Sequence, residues 1–291
     1  WSGRNDGDDE LSQRIFQNVK IIESLDNLEE DSFVLQGFCV DEGVKRNLGR
    51  IGASEAPDII RKNLSNFPIT QQNFKLLDYG NVYCEDQDLE ASQDQLAKNI
   101  SEILSKNSKS LVLGGGHEVT FAHYKGVKEA FSDQKIGIIN FDAHFDNRQP
   151  INGLSTSGTG FWQIAQEGNI HSLHIGIQKN SNTLKLFETA DRFGMNYILA
   201  EELFYENLPQ LYPEINRFIE QCDIIYLTIC MDVFNASIAP GVSAQAYNGV
   251  FVDATFLKIY RHILSSHKLK ALDVAEVNPT YDIQERTARL A

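Results

Sequence analysis

Short apolar runs rich in β-branched and aromatic residues alternate along this chain with longer segments whose apolar positions recur at helical spacing. The runs predict strands at Ser32–Val40, Lys75–Leu77, Ser110–Leu113, Lys135–Phe141, Ser172–Ile177, Asn196–Leu199, Asp223–Ile229 and Lys270–Val274. Between them the spacing predicts helices near Ala53–Leu64, Asp88–Lys106, Glu118–Phe131, Gly160–Gln166, Thr183–Phe193, Pro209–Gln221 and Thr255–Ser266. Strand followed by helix, repeated, is the pattern of βαβ units, whose crossovers lay helices on both faces of a parallel sheet. The expected fold class is therefore α/β and doubly wound, with three αβα layers around a central, mostly parallel sheet of about eight strands. No Pro/Gly/Ser-rich linker or internal repeat interrupts the alternation, so residues 1–291 are expected to form a single domain.

Composition narrows the function classes. With 291 residues and 42% apolar side chains, the chain can bury a sizeable core. The balance of 26 Lys and Arg against 40 Asp and Glu, formally −14, speaks against a nucleic-acid partner held through phosphates. No apolar run is long enough to span a membrane, so no membrane partner is expected. Cys39, Cys84, Cys222 and Cys230 are far apart and form no CxxC pair, which fits a reducing, cytoplasmic setting.

The densest chemistry follows the run Ile136–Phe141. Asp142, His144 and Asp146 occupy alternate positions, and alternate side chains of an extended backbone share one side, so the three could converge just past the strand end. Ligands of open parallel sheets bind outside the carboxyl ends of the strands. Other predicted strands end in the same kind of residue: Gly114-Gly-Gly-His117, Cys230-Met-Asp232 and Glu276. Taken singly, each has an ordinary structural reading as a turn, an Asx-turn residue or a solvated carboxylate. Taken together, four ends of one sheet edge argue for a metal site, and imidazole mixed with hard oxygen donors suits Mn²⁺ or a similar divalent ion. A polar loop at Asn147–Ser157, longer than the usual connection, begins beside it. The remaining histidines, His123, His171, His174, His262 and His267, are assigned no chemistry, and Arg50 is expected to be structural or interfacial rather than catalytic.

The same residues carry a family resemblance. Gly114-Gly-Gly-His117, Asp142-Ala-His-Phe-Asp146, Thr228-Ile-Cys-Met-Asp232 with Ala239-Pro-Gly-Val-Ser-Ala244, and Glu276-Val-Asn-Pro279 resemble the signatures of the ureohydrolase (arginase/agmatinase) family, in order and over nearly the whole chain. The resemblance implies an arginase-like fold and two Mn²⁺ per subunit. It assigns His117 and Asp146 to one ion, His144 and Asp232 to the other, and Asp142 as a bridge. A second bridging aspartate of the family is replaced here by Cys230, a softer ligand, which implies that one ion is held more weakly. Trp1-Ser-Gly-Arg4, Asn47-Leu-Gly-Arg-Ile-Gly-Ala53, His144-Phe-Asp-Asn-Arg148 and Ser157-Gly-Thr-Gly-Phe-Trp-Gln163 are similar to the branch that hydrolyses N-formimidoyl-L-glutamate to L-glutamate and formamide in histidine degradation.

On that reading the chain is a hydrolase of linear amidine C–N bonds, with a metal-bridging hydroxide as nucleophile. Glu276 would orient the cationic amidine and Asp146 would carry the proton, while Arg148, Ser157, Gly158 and Thr159 would bind the substrate carboxylates. Arginase-like relatives carry a neutral amide in place of Arg148 and a histidine proton shuttle in place of Phe161. Two alternatives stand beside it. One is another ureohydrolase (agmatinase, guanidinobutyrase or arginase); the other is a catalytically impaired member serving as a binding subunit because of Cys230. The resemblance also implies a homo-oligomer, commonly a trimer or hexamer.

Overall fold

The computed structural model describes residues 1–7, 9–71, 75–168 and 170–291. Its strands are β1 (Lys20–Ile21), β2 (Phe33–Cys39), β3 (Leu76–Tyr83), β4 (Lys109–Gly114), β5 (Ile136–Phe141), β6 (Ser172–Ile177), β7 (Asn196–Leu199), β8 (Ile224–Cys230) and β9 (Leu269–Ala275). They form one sheet in the order β1-β3-β2-β4-β9-β8-β5-β6-β7. Every ladder in it is parallel. The helices are α1 (Ile15–Asn18), α2 (Glu42–Arg46), α3 (Ala56–Leu64), α4 (Leu89–Ser105), α5 (Val119–Ala130), α6 (Gly160–Gln166), α7 (Leu184–Phe193), α8 (Leu208–Glu220), α9 (Ala254–Leu264) and α10 (Arg286–Leu290).

Strands β5, β6 and β8 are buried along their whole length, because helices cover both faces. Alternation divides their side chains between two cores. Ile139, Leu227 and Ile229 pack with Ile215 and Phe218 of α8 and Ile259 and Ile263 of α9. Ile138 and Tyr226 pack on the other face with Leu96 and Ile100 of α4, Val127 of α5 and Ile164 of α6. Local signals set the helix ends. Asp253 caps α9 by accepting from the Thr255 and Phe256 amides at 2.8 and 3.0 Å, and α7 stops at Gly194, whose φ of 68° is the left-handed conformation that glycine adopts without a Cβ clash.

The α/β fold with a parallel central sheet is the expected one, and three details go beyond the expectation. The sheet has nine strands rather than about eight, and it is parallel throughout rather than mostly. The extra strand, β1, is two exposed residues long, too short to show any alternation. Strand β3 runs to Tyr83 instead of ending at Leu77, although Asp78 interrupts its apolar pattern. Arg61 allows this by binding the buried Asp78 carboxylate with two N–H groups, at 3.0 and 2.8 Å. No helix of the described residues is long and apolar enough to cross a membrane.

Candidate metal centre

Strands β4, β9, β8 and β5 are consecutive neighbours in the sheet. Their carboxyl ends therefore open onto one rim, and each delivers part of a single cluster.

After β4 the chain hugs β2, with the Gly115 amide donating to the Phe38 carbonyl and the Gly116 amide to the Val40 carbonyl, at 2.7 and 2.9 Å. A Cβ on Gly115 would lie 1.8 Å from the Val40 carbonyl oxygen, so this path requires glycine. It delivers His117, 1% exposed, to the rim. After β5, the Asp142 Oδ1 accepts the His144 amide at 2.8 Å, a turn that brings both side chains to one point. Cys230 ends β8, and Asp232 follows in the 3-10 turn Met231–Val233. Glu276 follows β9 and is tied back to the β4 loop by its own amide, which donates to the Gly115 carbonyl at 2.8 Å. Asp146 and Glu276 both hold left-handed backbone, with φ of 44° and 67°, an unfavourable conformation for these residue types that surrounding contacts must maintain.

The cluster has two compartments that share Asp142. In one, His117, Asp142 and Cys230 bring nitrogen, oxygen and sulfur atoms within 4.8 Å of one another; in the other, Asp142, His144 and Asp232 do the same with nitrogen and oxygen. Asp142 Oδ2 lies 3.0 Å from His117 Nδ1, and its Oδ1 lies 3.5 Å from His144 Nδ1. Asp146 Oδ2 approaches His117 Nδ1 at 2.8 Å, and Asp232 Oδ2 approaches His144 Nδ1 at 3.2 Å.

Negative charge is in excess. Burial works to lower the His117 and His144 pKa values, but Asp142 with Asp146, and Asp232 with Asp142, outweigh it and raise both. Burial raises Asp232 and Glu276, and raises the Cys230 thiol further because four carboxylates surround it. Asp232 Oδ1 is buried with no hydrogen-bond partner. A cluster of carboxylates with an orphaned oxygen, two imidazoles and a thiol is suited to divalent cations.

One register step below lies a row of polar residues that sequence reasoning missed. His174, Asn140, Thr228 and Asp273 stand side by side on β6, β5, β8 and β9, all wholly buried. The Asn140 amide lies 3.3 Å from Asp142 Oδ2 and 3.2 Å from His174 Nδ1. Burial pushes His174 down to about 3, so its ring is neutral. Thr228 donates to Asp273 Oδ1 at 2.6 Å and lies 3.1 Å from His117 Nε2, which leaves the His117 Nδ1 facing the cluster. Polar residues inside otherwise apolar strands were the available signal. Glu118 was also missed. It is 1% exposed, accepts the Gly43 amide at 2.8 Å, and is pushed up to about 7 by burial.

The expected substrate-side residues lie on the loop after β5. The Arg148 amide closes that loop on the Gly158 carbonyl at 3.0 Å, and its side chain is exposed. Ser157 is buried and accepts from Asn47 at 3.3 Å. The Thr159 hydroxyl is taken up within the loop by the Thr156 carbonyl and Gln163, at 2.9 and 3.0 Å. Phe161 is wholly buried and meets His174 edge-on at 4.4 Å between centroids, so it packs beneath the centre. The segment after β2 wraps the rim. Gly43 bonds Glu118, Asn47 bonds Ser157, Arg50 Nε donates to the Ser243 carbonyl at 2.9 Å, and Asn278 donates to the Arg50 carbonyl at 2.8 Å.

The arginase family model matches residues 31–291. A formimidoylglutamase of Clostridium tetani is 41% identical over 311 aligned positions, covering 100% of this chain and 90% of that protein. Among solved structures, the formimidoylglutamase of Bacillus subtilis superposes with a TM-score of 0.88 at 23% identity, over 99% of this chain and 91% of that one. The Trypanosoma cruzi formiminoglutamase with Mn²⁺ does so with a TM-score of 0.81 at 22% identity, over 91% and 92%. A family match over most of the length, together with a full-length relative of this identity, shows that the chain belongs to the arginase family.

Proposed function

We propose that this protein is a manganese-dependent hydrolase that converts N-formimidoyl-L-glutamate and water to L-glutamate and formamide, acting as one ureohydrolase domain. The observation that carries the reading is the pair of cation compartments joined by a single carboxylate, Asp142, at the rim of four neighbouring strands. The full-length formimidoylglutamase relative and the manganese of the T. cruzi neighbour support the substrate and the metal. His117, Asp146 and Cys230 would hold one ion and His144 and Asp232 the other, with Asp142 available to both. The Cys230 side is the weaker one for manganese, because a thiolate is a softer ligand than a carboxylate. When bound, the ions supply Lewis acidity that polarises the amidine and lowers the pKa of water.

The chain's own residues do the rest. Glu276 accepts the paired N–H groups of the cationic amidine, and its orientation is set by the His117 amide, which donates to its Oε1 at 2.9 Å. Asp146, half-buried at the mouth, takes the proton of the attacking water and delivers it to the glutamate nitrogen as the carbon–nitrogen bond breaks. Arg148 reaches a substrate carboxylate from the solvent side. Ser157 and the Gly158 backbone, beside Arg148 on the same loop, offer donors to the other substrate carboxylate, and Thr159 contributes through the fold of its loop. The reading includes a homo-oligomer in a cytoplasmic setting, which suits four free cysteines.

The deciding experiment incubates the manganese-loaded protein separately with formimidoylglutamate, agmatine, guanidinobutyrate and arginine. Formamide and glutamate from the first alone is the expected result. Urea from any of the others would transfer the protein to another ureohydrolase activity, and a protein inert toward all four with manganese, zinc, cobalt and their mixtures would end the enzymatic reading.

A further inference from the structure

Cys230 makes the two compartments chemically unequal. It follows directly on the last β5–β8 pair, Phe141 and Ile229, as Asp142 does on the other strand, and its sulfur lies within 4.8 Å of the bridging carboxylate. Around His117 the donors are one nitrogen, oxygens of Asp142 and Asp146, and that sulfur. A mixed set of imidazole nitrogen, carboxylate oxygen and thiolate sulfur is of the kind that zinc takes, with bonds of about 2.0–2.3 Å. Around His144 the donors are nitrogen and oxygen only, with Asp232 Oδ1 still unpartnered. Such a set suits a harder ion that accepts more oxygen ligands.

Manganese stands below cobalt and zinc in intrinsic affinity for any such site, and a sulfur ligand widens that gap on one side only. We propose that the centre is a mixed-metal one: the His117–Cys230 compartment takes a thiophilic ion of the zinc or cobalt class, and the His144–Asp232 compartment keeps manganese. Cys230 binds as the thiolate, its proton passing to solvent. The inference rests on the binuclear reading and specifies which ion occupies the half where manganese is weak.

The test titrates zinc into manganese-loaded protein and follows bound metal by emission spectroscopy. Zinc is expected to displace the first manganese per chain at a concentration roughly 100-fold below that needed for the second, and Cys230→Asp should collapse this separation to about tenfold or less. Independently, cobalt added to metal-free wild type should give a sulfur-to-cobalt charge-transfer absorption that saturates at one ion per chain. Cys230→Ser should lack it. Loss of both manganese ions together from wild type, or bound cobalt without that absorption, would overturn the proposal. The cobalt spectrum of wild type decides the matter even where a variant fails to fold. If the two-step displacement and the absorption appear but no metal combination cleaves formimidoylglutamate, the functional reading fails and the mixed-metal centre stands. If formimidoylglutamate is cleaved by a centre holding two equivalent manganese ions, the mixed-metal centre fails and the functional reading stands.

Discussion

Two buried histidine–carboxylate clusters lie side by side in this protein, and they differ in completeness. His123 Nδ1 pairs with Asp273 Oδ2 at 2.7 Å, and its Nε2 lies 3.0 Å from the Ser110 hydroxyl. Asp273 also accepts from Tyr226 and Thr228, so the cluster is closed. Six residues earlier in the chain, His117 faces Asp142 and Asp146 in a cluster that adds Cys230, His144 and Asp232 and leaves an Asp232 oxygen without a partner. Similar residue types at similar burial thus serve opposite ends. Where every polar atom is matched, the cluster is part of the scaffold; where acceptors outnumber donors, it is prepared for a cation. Thr228 touches both and passes the rigidity of the first to the second.

Substitutions can break or sharpen this contrast. The largest effect is expected for Asp142→Asn, which withdraws the carboxylate shared by both compartments. Activity should fall by more than roughly 100-fold and both ions should be lost, which metal analysis after gel filtration would check; a variant that keeps two ions would remove Asp142 as the bridge. Glu276→Gln should lower kcat by about 100-fold while metal content stays at the wild-type value, and metal loss instead would make Glu276 a ligand. For Arg148→Ala the expected change is smaller, about tenfold in KM with kcat nearly unchanged, since the guanidinium is exposed and screened by solvent. An unaltered KM would detach Arg148 from the substrate. The smallest effect belongs to the closed cluster. Tyr226→Phe removes one donor from Asp273 and should cost about 1–2 kcal/mol of stability in urea denaturation, with metal stoichiometry unchanged. A drop in bound metal would show that the two clusters are not separable.

Much of the architecture was legible because its signals are local. Largely apolar runs such as Ile136–Phe141 and Ile224–Ile229 mark strands covered on both faces, and a ligand-type residue just after such a run falls at a carboxyl end whatever the sheet order. That is why Asp142, Asp232 and Glu276 could be singled out before any topology was known. The unread parts depend on partners far away in the chain. Asp78 breaks the pattern of β3, and it is Arg61, 17 residues earlier, together with the Trp1 indole, 77 residues earlier, that makes it compatible with a strand. Asp273, Thr228, Asn140 and His174 come from four separate segments, and nothing in any one of them announces a shared row. His123, assigned no chemistry from sequence, is wholly buried and holds the closed cluster together through Asp273 and Ser110. Thr159 is a local case instead: its hydroxyl looked free for a substrate in sequence, yet Thr156 and Gln163, three and four residues away, use it.

The stretch from Asp41 to Gly52 supplies no residue to the cation cluster, yet it is fastened to the loops that follow β4, β5, β8 and β9. It works like a hoop around barrel staves. Replacing it by the corresponding piece of a relative would disturb four anchor points at once, so its sequence can drift only in concert with Glu118, Ser157, Ser243 and Asn278. Altering selectivity by redesigning a single wall of the mouth should therefore be harder here than in a centre whose loops stand independently.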